Sequence, residues 1–534
     1  MRNKSRVFYL CLVEQTEYMA QNYYRPEWTC GRYNAAAEVA LMYNLIEGKS
    51  FFFESYSARV IAEILSVGRN GLINIADIAS NTGIAEESIV DFFELHLIDA
   101  GLVCARIFSK DEIHNIRKQW GMLCKDNPQE TQHNSISSLK TEQIIDSQTA
   151  EMEYNKHLDI NTHIHSVALE LTYNCSEKCI HCYNIGATRN DTEKSERGCL
   201  AEMSIEDYKH LIDELDTLGC YKVCLTGGDP FSKRIAWDII DYLYEKEIAF
   251  DIFTNGLAIT TQVERLIDYY PRLVGVSIYS GIPEVHDSIT RIKGSFEKSM
   301  KVVKGLSEYG TPLALKCCVM KPNVKSYHLV KELAKEYGAV CQIEANLCMG
   351  VDGDMSMINH LRLSREVLEV LLRDKDTPLY VGLDLPNEGK MPKEPDFSPC
   401  GGGYGGYTIT PNGDMVVCAN LHYAFGNVIK MSLFDILHGE KMKVWRALSI
   451  GKIEGCGTKP ECEYCNLCSG NNYNEHGVLT KPSDVNCWIA KVRYEVMQRL
   501  KAGEDSLNGL TVEERIAQLP IENVEIFSKE IVKH

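Results

Sequence analysis

Residues 174–184 read Asn174-Cys175-Ser176-Glu177-Lys178-Cys179-Ile180-His181-Cys182-Tyr183-Asn184, which places three cysteines in the spacing C-x3-C-x2-C. Thiolate is a soft ligand that iron–sulfur clusters and zinc both prefer. Zinc sites generally combine C-x2-4-C pairs with a second, distant pair of Cys or His. The spacing therefore favours an iron–sulfur cluster with one iron left open, with a structural zinc knuckle as the alternative.

The alternation of segments around this motif predicts the fold class. From about residue 165 to residue 347, apolar strand-like runs alternate with helix-like periodicity. Six successive βα units predict an α/β fold with a parallel sheet, either doubly wound or closed as a barrel. The predicted strands are 166–171, 222–225, 249–254, 273–278, 313–320 and 340–345, and the predicted helices are 205–218, 235–245, 262–269, 296–309 and 324–337.

Polar motifs follow the predicted strands. After the second strand comes Thr226-Gly227-Gly228-Asp229-Pro230, where glycines let the backbone approach a ligand closely. A simple tight turn is the alternative. Asn255 follows the third strand, Ser277 lies at the end of the fourth, and Arg291 comes after it. Because the carboxyl ends of parallel strands meet at one edge of a barrel, we expect these residues to lie near the three cysteines.

A second group of cysteines lies in the C-terminal part of the chain. A hairpin with a Pro-Asn-Gly turn is predicted over residues 407–418, and cysteines flank it. The spacing after it is C-x5-C-x2-C-x2-C, and zinc could use the same ligands. Cysteines between the two groups lie in apolar runs and are predicted as core: Cys199, Cys220, Cys224, Cys317, Cys318, Cys341 and Cys348. The predicted ligands in the second group are Cys400, Cys418, Cys456, Cys462, Cys465, Cys468 and Cys487.

Residues 30–108 predict a small separate domain. Apolar runs at 38–46 and 50–54 flank a turn with Gly48 and predict a hairpin, and helices are predicted over 57–65, 73–82 and 86–100. The order is typical of a winged helix, with a purely structural domain as the alternative. The polar segment 126–153 that follows predicts a linker.

Charge and composition limit the partners. The 534 residues include 56 basic and 74 acidic ones, and the formal charge of −18 argues against nucleic acid and anionic membranes as partners. The apolar stretch at residues 7–13 is short and lacks a small-residue cleavage site, so no signal peptide is predicted. Twenty-one cysteines without such a signal indicate a reducing compartment, and we predict a cytoplasmic protein.

The triplet Cys175, Cys179 and Cys182, followed by the aromatic Tyr183, resembles the signature of the radical S-adenosylmethionine (SAM) enzymes. The resemblance implies a partial (β/α)6 TIM-like barrel, a [4Fe–4S] cluster and SAM bound to the open iron through its amino and carboxylate groups. Function would then be anaerobic, because oxygen destroys such a cluster.

The same resemblance implies roles for the residues at the strand ends. Gly227, Gly228 and Asp229 would hold the SAM amino group, although Asp229 stands where the family commonly has Glu. Asn255 would line the pocket near the ribose, and Ser277 would contact ribose or carboxylate. Arg291 would pair with the carboxylate, and a surface ion pair of Arg291 with Glu284 or Asp287 is the alternative.

The C-terminal cysteines resemble the SPASM extension, which holds up to two auxiliary [4Fe–4S] clusters in enzymes that modify peptides and proteins. Their spacing departs from the commoner C-x2-C-x5-C-x3-C, and seven cysteines are one short of the eight ligands that two clusters need. One or two auxiliary clusters are therefore predicted, with an open iron or a non-cysteine ligand in one of them. The N-terminal pattern resembles the precursor-recognition element of peptide-modifying enzymes, in which a leader peptide adds a strand to a sheet edge.

These resemblances imply a radical SAM peptide maturase. It would use a 5′-deoxyadenosyl radical to take hydrogen from a ribosomally made precursor peptide and would install a thioether or C–C crosslink or a related oxidation, with flavodoxin or ferredoxin as reductant. The alternatives are an anaerobic sulfatase-type maturase that makes formylglycine, an enzyme of cofactor or haem biosynthesis, and a non-catalytic metal-binding recognition scaffold. No further catalytic residue is identified.

The expected domain order follows from these assignments. It comprises an N-terminal winged-helix-like recognition domain over 1–124, a linker over 125–160, the barrel over 161–348, a bridging segment over 349–396, the SPASM-like domain over 397–490 and a helical tail over 491–534.

Overall fold

The computed structural model describes residues 22–126, 147–184, 201–348, 356–390, 394–421 and 423–522. Within these ranges, six parallel strands form most of a nine-stranded sheet, and helices connect them. No helix in the described ranges is both long enough and apolar enough to cross a membrane. The predicted α/β architecture is confirmed.

The N-terminal part combines a small antiparallel sheet with helices. Its elements are β1 (Tyr23–Tyr24), β2 (Thr29–Asn34), β3 (Val39–Asn44), β4 (Lys49–Glu54), α1 (Ser55–Ser66), β5 (Leu72–Ile73), α2 (Ile75–Thr82), α3 (Glu86–Phe92) and α4 (Lys110–Asp126). The predicted hairpin is confirmed, because β3 and β4 pair antiparallel around Gly48, whose φ of +65° suits glycine. The structure adds β2 on the other side of β3 and pairs β1 with β5.

Two details of this part differ from the prediction. The sequence of β2 lacks apolar alternation, and its Arg32 instead reaches the barrel, where Nη2 lies 2.9 Å from Asp216 Oδ1. The third predicted helix, 86–100, stops as an α-helix at Phe92 and continues as the π-helix Phe93–Leu97. That change of helix type buries Phe93 and Leu97 in the N-terminal core.

The sheet β2–β4 is buried on both faces. Ala40 and Met42 pack against the N-terminal helices. Leu41 and Tyr43, which point the other way, pack in one core with Tyr221, which directly precedes a strand of the barrel. The small domain predicted as separate therefore shares a hydrophobic core with the barrel.

A further helix, α5 (Ser147–Lys156), lies inside the segment predicted as a linker over 125–160. Ala150 and Tyr154 join the core between the small sheet and the barrel. Glu151 accepts hydrogen bonds from Lys222 Nζ at 2.6 Å and Tyr43 Oη at 2.8 Å. The segment was predicted as a linker because its few buried contact positions are dispersed among polar residues.

Replacing Glu151 by glutamine is expected to destabilise the protein by about 3 kcal/mol, because it removes the carboxylate that pairs with the largely buried Lys222. Glu151 also lies 3.7 Å from Arg272 Nη1. The free energy of unfolding, measured by denaturant titration, checks this. Glu153→Gln on the same helix is the control, since the described partner of Glu153 is the exposed Lys156, and the change should alter stability by less than about 1 kcal/mol. Equal effects of the two changes would contradict the prediction.

The same pair of variants tests a pH dependence. Burial raises the pKa of Glu151, but the attraction of Lys222 and Arg272 outweighs it and leaves that pKa below its ordinary value. A carboxylate with a lowered folded-state pKa stabilises the fold above its unfolded pKa, and this contribution is lost as the pH falls through the folded value. Glu151→Gln should therefore weaken the acid dependence of stability, and Glu153→Gln should preserve it.

The barrel consists of six parallel strands in sequential order. They are β6 (Ser166–Glu170), β7 (Lys222–Thr226), β8 (Ala249–Thr254), β9 (Leu273–Ser277), β10 (Leu313–Cys318) and β11 (Val340–Glu344). The connecting helices are α6 (Ile205–Thr217), α7 (Ala236–Glu245), α8 (Val263–Ile267), α9 (Pro283–Thr290), α10 (Ser295–Glu308) and α11 (His328–Glu336). Every predicted strand and helix of this region is present, and α9 is an additional helix before α10.

The C-terminal part extends the barrel sheet. Its elements are α12 (Ser356–Leu361), α13 (Arg365–Leu371), β12 (Gly406–Ile409), β13 (Asp414–Val416), β14 (Gly426–Asn427), α14 (Leu433–His438), α15 (Glu440–Arg446), α16 (Ser469–His476), α17 (Asp484–Lys501) and α18 (Val512–Gln518). The predicted hairpin forms from β12 and β13, and β12 also pairs in parallel with β6. The C-terminal cysteines are thereby attached directly beside the first barrel strand. The expected boundary at residue 490 falls inside α17.

Candidate metal centre and cofactor pocket

The three-cysteine loop lies at the carboxyl end of β6, as predicted. Its backbone is fastened to the end of α9, since the amides of Lys178 and Ile180 donate to the carbonyls of Thr290 and Ile289 at 2.9 and 3.0 Å. These bonds place Arg291, the next residue after α9, close to the loop. The structure thus brings together the first and the last of the predicted site residues.

The three thiols share a buried environment rich in sulfur contacts. Cys175 Sγ accepts from the Glu177 amide at 3.4 Å, and Cys182 Sγ accepts from the Asn184 amide at 3.4 Å. Burial raises the pKa of Cys175 to about 12 and that of Cys182 to about 11. Without a metal these thiols stay protonated, and a bound metal would be needed to hold them as thiolates.

The described thiols are not gathered around one point, as the ligands of a single zinc ion would be. A tetrahedral zinc ion at 2.3 Å from each sulfur puts its ligand sulfurs about 3.8 Å apart. In the described ranges, no three cysteines bring their sulfurs within 4.8 Å of one another. A four-iron cluster offers a separate iron to each thiolate and therefore fits more widely spaced sulfurs. The residues present fit a [4Fe–4S] cluster.

The glycines after β7 serve a close approach to the cysteine loop. A Cβ on Gly227, where φ is +126°, would lie 2.5 Å from the Thr172 carbonyl oxygen, and one on Gly228 would lie 2.3 Å from that of Asn174. The amides of Gly228 and Asp229 donate to these two oxygens at 2.7 and 3.0 Å. Two backbone hydrogen bonds therefore hold the glycine motif against the segment that leads into Cys175.

Asp229 is fully buried, and its carboxylate is used inside the protein. It accepts from the Phe231 amide at 3.0 Å, from Thr254 Oγ1 at 2.6 Å and from the Asn255 amide at 2.9 Å. Burial raises its pKa. In this arrangement Asp229 braces the end of β8, whereas the family resemblance implied a contact with the SAM amino group.

The other predicted pocket residues have different surroundings. Asn255 donates through Nδ2 to Cys175 Sγ at 3.3 Å and to Ser176 Oγ at 3.1 Å, so its amide faces the cysteine loop, whereas the resemblance implied the ribose. Ser277 ends β9, and its side chain acts on the Tyr279 phenol against the burial that raises the pKa of Tyr279. Its predicted contact with ribose or carboxylate stays a prediction.

Arg291 makes no ion pair with any residue in the described ranges. Of its expected surface partners, Asp287 is instead bonded to the hydroxyl of Ser295 and the amide of Phe296. Arg291 adopts a left-handed φ of +60° that ends α9. Its predicted pairing with the SAM carboxylate stays a prediction.

Two further residues at this site, Glu177 and Tyr279, were not predicted, because the cysteine spacing does not point to them. Glu177, inside the C-x3-C spacer, is 2% exposed; its Oε2 accepts from Cys179 Sγ at 3.3 Å, and its Oε1 has no hydrogen-bond partner among the residues that the structure describes. Burial raises its pKa to about 8. Tyr279 is buried, and its hydroxyl lies 3.9 Å from Cys179 Sγ. Both residues shape the surroundings of the middle cysteine.

The C-terminal cysteines divide into two sets. Cys456, Cys462, Cys465 and Cys487 line one cavity of about 450 Å³, with Cys487 supplied by α17. Cys400, Cys418 and Cys468 lie within electrostatic reach of one another at the end of the β12–β13 hairpin.

Cys348, which was predicted as a core residue, lies near the second set. Its thiol lies within electrostatic reach of Cys468 and Cys418, and burial raises its pKa to about 12. It directly follows the barrel, four residues after β11 ends at Glu344. Sequence spacing could not reveal this, because Cys348 is 52 residues before Cys400 (400 − 348). Of the other predicted core cysteines, Cys199 lies outside the described residues.

The sulfurs of the second set are also hydrogen-bonded. Cys400 Sγ accepts from the Gly402 amide at 3.3 Å, and Cys468 Sγ accepts from Asn420 Nδ2 at 3.4 Å and from the Asn471 amide at 3.5 Å. Such bonds to sulfur are typical of protein-bound iron–sulfur clusters. The donor chemistry of this set fits a cluster as well.

Family models match two segments of the chain. Residues 169–326 match the radical SAM superfamily, and residues 400–469 match the iron–sulfur cluster-binding domain SPASM. The first match includes the three-cysteine loop and the glycine motif. The second includes Cys400 to Cys468 and excludes both Cys348 and Cys487.

Similar proteins span enzymes of more than one kind. The chain is 28% identical over 312 residues to the antilisterial bacteriocin subtilosin biosynthesis protein AlbA of Bacillus subtilis, and the match covers 56% of this chain but only 65% of AlbA. It is 28% identical over 307 residues to the mycofactocin maturase MftC of Mycolicibacterium smegmatis, and the match covers 55% of this chain and 75% of MftC. It is 26% identical over 326 residues to the AdoMet-dependent heme synthase of Methanosarcina barkeri, and the match covers 57% of this chain and 90% of the synthase.

Among solved structures, SuiB of Streptococcus suis bound to precursor peptide SuiA gives a TM-score of 0.48 at 13% identity, and the match covers 87% of this chain and 99% of SuiB.

Proposed function

Because the chain carries a radical SAM domain and a SPASM iron–sulfur domain, we propose that it is a peptide maturase that removes hydrogen from a precursor peptide and forms a crosslink or a related oxidation product. The observation that carries the proposal is the attachment of the C-terminal cysteine region to the barrel through β12 and β6. The hairpin that Cys400 precedes and Cys418 follows then extends the same sheet as the strand that leads into the three-cysteine loop. Similarity to a bacteriocin biosynthesis protein and a mycofactocin maturase supports a peptide substrate.

The chain's own residues divide the work at the first site. Cys175, Cys179 and Cys182 would hold the cluster, and Arg291 would bind the SAM carboxylate by a charge-assisted bidentate pair. When bound, the cluster and SAM supply a carbon radical strong enough to take an unactivated hydrogen. The protein excludes water around Cys179 by packing Ile180, Tyr279 and other apolar residues against it.

The auxiliary sites would use eight cysteines in two sets of four. One set is Cys456, Cys462, Cys465 and Cys487, and the other is Cys348, Cys400, Cys418 and Cys468. With Cys348 included, neither auxiliary cluster requires a non-cysteine ligand or an open iron. Clusters held by these eight cysteines would supply one-electron redox chemistry, and a one-electron carrier such as flavodoxin or ferredoxin would be the external reductant.

The N-terminal sheet would capture the leader of the precursor by strand addition. Its two edges differ. On β2, the carbonyl of Thr29 is already taken by Arg25 and Arg69, and that of Gly31 by Arg32. The β4 edge has α5 packed along it, so we assign the leader to the N-terminal sheet as a whole, whose strand β4 is anchored in the N-terminal core by Phe51 and Phe53.

A second candidate is an enzyme of haem biosynthesis, favoured by the similarity that covers 90% of a heme synthase. The N-terminal sheet and helices favour the peptide function, because they precede the segment matched as radical SAM and offer a strand edge. Formylglycine formation and a purely structural metal scaffold stay as weaker alternatives, since no observation favours either.

The test is anaerobic reconstitution of the full chain with iron and sulfide, reduction with dithionite in the presence of SAM, and measurement of 5′-deoxyadenosine. We expect 5′-deoxyadenosine, and about twelve irons per chain from three four-iron clusters. Short peptides encoded beside the gene are then added and followed by mass spectrometry for loss of two hydrogens. No 5′-deoxyadenosine would refute the enzyme, and conversion of an iron porphyrin precursor in place of peptides would favour the second candidate.

A further inference from the structure

A side-chain amide touches a cysteine sulfur at the first metal site. Asn255, at the end of β8, donates through Nδ2 to Cys175 Sγ at 3.3 Å. The backbone amide of Glu177 also donates to this sulfur. Two donors therefore converge on Cys175, and one of them comes from a separate strand.

The orientation of the Asn255 amide is fixed by its other bonds. Its Oδ1 accepts from the Leu257 amide at 2.9 Å, which leaves the NH2 group facing Cys175 and Ser176. A flipped amide would place the NH2 group against the Leu257 N–H and would lose the hydrogen bonds to Leu257 and to Cys175 Sγ. The direction of the contact with sulfur is therefore determined by the network.

The backbone of Asn255 is held on both sides. Its amide donates to Asp229 Oδ2 at 2.9 Å, and its carbonyl accepts from Ser299 Oγ at 2.6 Å. Asn255 itself is only 6% exposed, so water does not compete strongly for its amide. Asp229, in the glycine motif, thus acts on Cys175 indirectly by fixing the residue that touches the sulfur.

A donor at sulfur acts differently on the two oxidation states of a cluster. One-electron reduction adds negative charge, part of which resides on the sulfurs, and a hydrogen-bond donor stabilises the more negative state more strongly. Because Asn255 is held in place and shielded from water, its amide would stabilise the reduced cluster without having to change its orientation first. We propose that Asn255 is a positioning residue that raises the reduction potential of the cluster held by Cys175, Cys179 and Cys182. The inference rests on the proposed cluster and does not depend on the peptide reaction.

Two substitutions separate tuning from structure. Asn255→Asp keeps an acceptor for the Leu257 amide and removes the N–H donor, whereas Asn255→Leu removes the donor without adding charge. The reconstituted full chain is titrated with dithionite and followed by electron paramagnetic resonance, and the signal that SAM perturbs identifies this cluster. For Asn255→Leu we expect the ratio of reduced to oxidised cluster at fixed potential to fall about fivefold, which is about 40 mV at 59 mV per tenfold change. Asn255→Asp should fall further, because its charge opposes reduction.

Asn420→Leu is the matched control. Asn420 also donates to a cysteine sulfur, but to Cys468 in the second auxiliary set. It should leave the SAM-perturbed signal at the wild-type potential. An unchanged potential in both Asn255 variants at wild-type iron content would overturn the inference, as would loss of the cluster from both. A wild-type chain that holds the cluster but makes no 5′-deoxyadenosine would defeat the proposed function and leave this comparison valid.

Discussion

Replacing Cys179 by alanine is expected to abolish the formation of 5′-deoxyadenosine. Cys179 is the middle residue of the loop and is 9% exposed, with Glu177 and Tyr279 against its sulfur. With two cysteines left, the cluster loses the ligand that fixes its orientation and, with it, the geometry of the open iron. Iron content should fall by about four per chain, the content of one cluster.

Cys318→Ala provides a matched control for loss of a buried thiol. Cys318 packs in the same apolar cluster as Cys179 and Cys182 and is no proposed ligand, so SAM cleavage without peptide should persist. Cys465→Ala provides a second comparison, since it removes a ligand of an auxiliary set. It should leave SAM cleavage without product. Equal loss in Cys179→Ala and Cys465→Ala would contradict this division of roles.

The sequence predicted the barrel well for a physical reason. Buried parallel strands are continuous apolar runs, and the helices between them show a single apolar stripe, so both periodicities are visible without tertiary information. The strand β8, for example, was predicted over 249–254 and forms as Ala249–Thr254. The hairpin of β12 and β13 was equally visible from its turn residues.

The features that sequence reasoning missed depend on contacts between distant segments. The parallel pairing of β12 with β6 joins residues about 240 positions apart, and neither strand carries a mark of its partner. Helix α5 uses only a few buried positions, so its polar composition dominates. Cys348 resembles a core cysteine until the fold brings Cys418 and Cys468 near it.

In the candidate site, too, the sequence identified the motifs but not the contacts that their residues make. The motif residues were found, but a motif does not show which atom each residue uses. Asp229 was expected to face a ligand, and its carboxylate accepts hydrogen bonds from Thr254 and Asn255, while its role toward SAM stays a prediction. The short carboxylate of Asp229 reaches the neighbouring strand end and accepts two hydrogen bonds there. The two glycines before it were predicted correctly as a point of close backbone approach, and the backbone that approaches them is the protein's own segment before Cys175.

Gly228→Ala is expected to lower 5′-deoxyadenosine formation about a hundredfold, the upper end for residues that orient metal ligands. The added methyl carbon would lie 2.3 Å from the Asn174 oxygen, 2.7 Å from the Asn174 carbonyl carbon and 2.8 Å from the Tyr173 oxygen, all of them backbone atoms. No side-chain rotation relieves such a contact, so the backbone before Cys175 must move. The bonds from the amides of Gly228 and Asp229 to that segment would break together.

The measurement is iron content together with 5′-deoxyadenosine, and the matched control is Gly401→Ala. Gly401 also neighbours a cysteine, yet a Cβ there meets nothing within 4 Å, so SAM cleavage should be unchanged. If Gly228→Ala cleaved SAM at the wild-type rate, the segment before Cys175 could shift freely, and the glycines would not be positioning the cluster loop. A loss confined to Gly228→Ala instead means that the backbone contact itself holds Cys175 in place, since both variants add the same methyl group beside a cysteine-bearing segment.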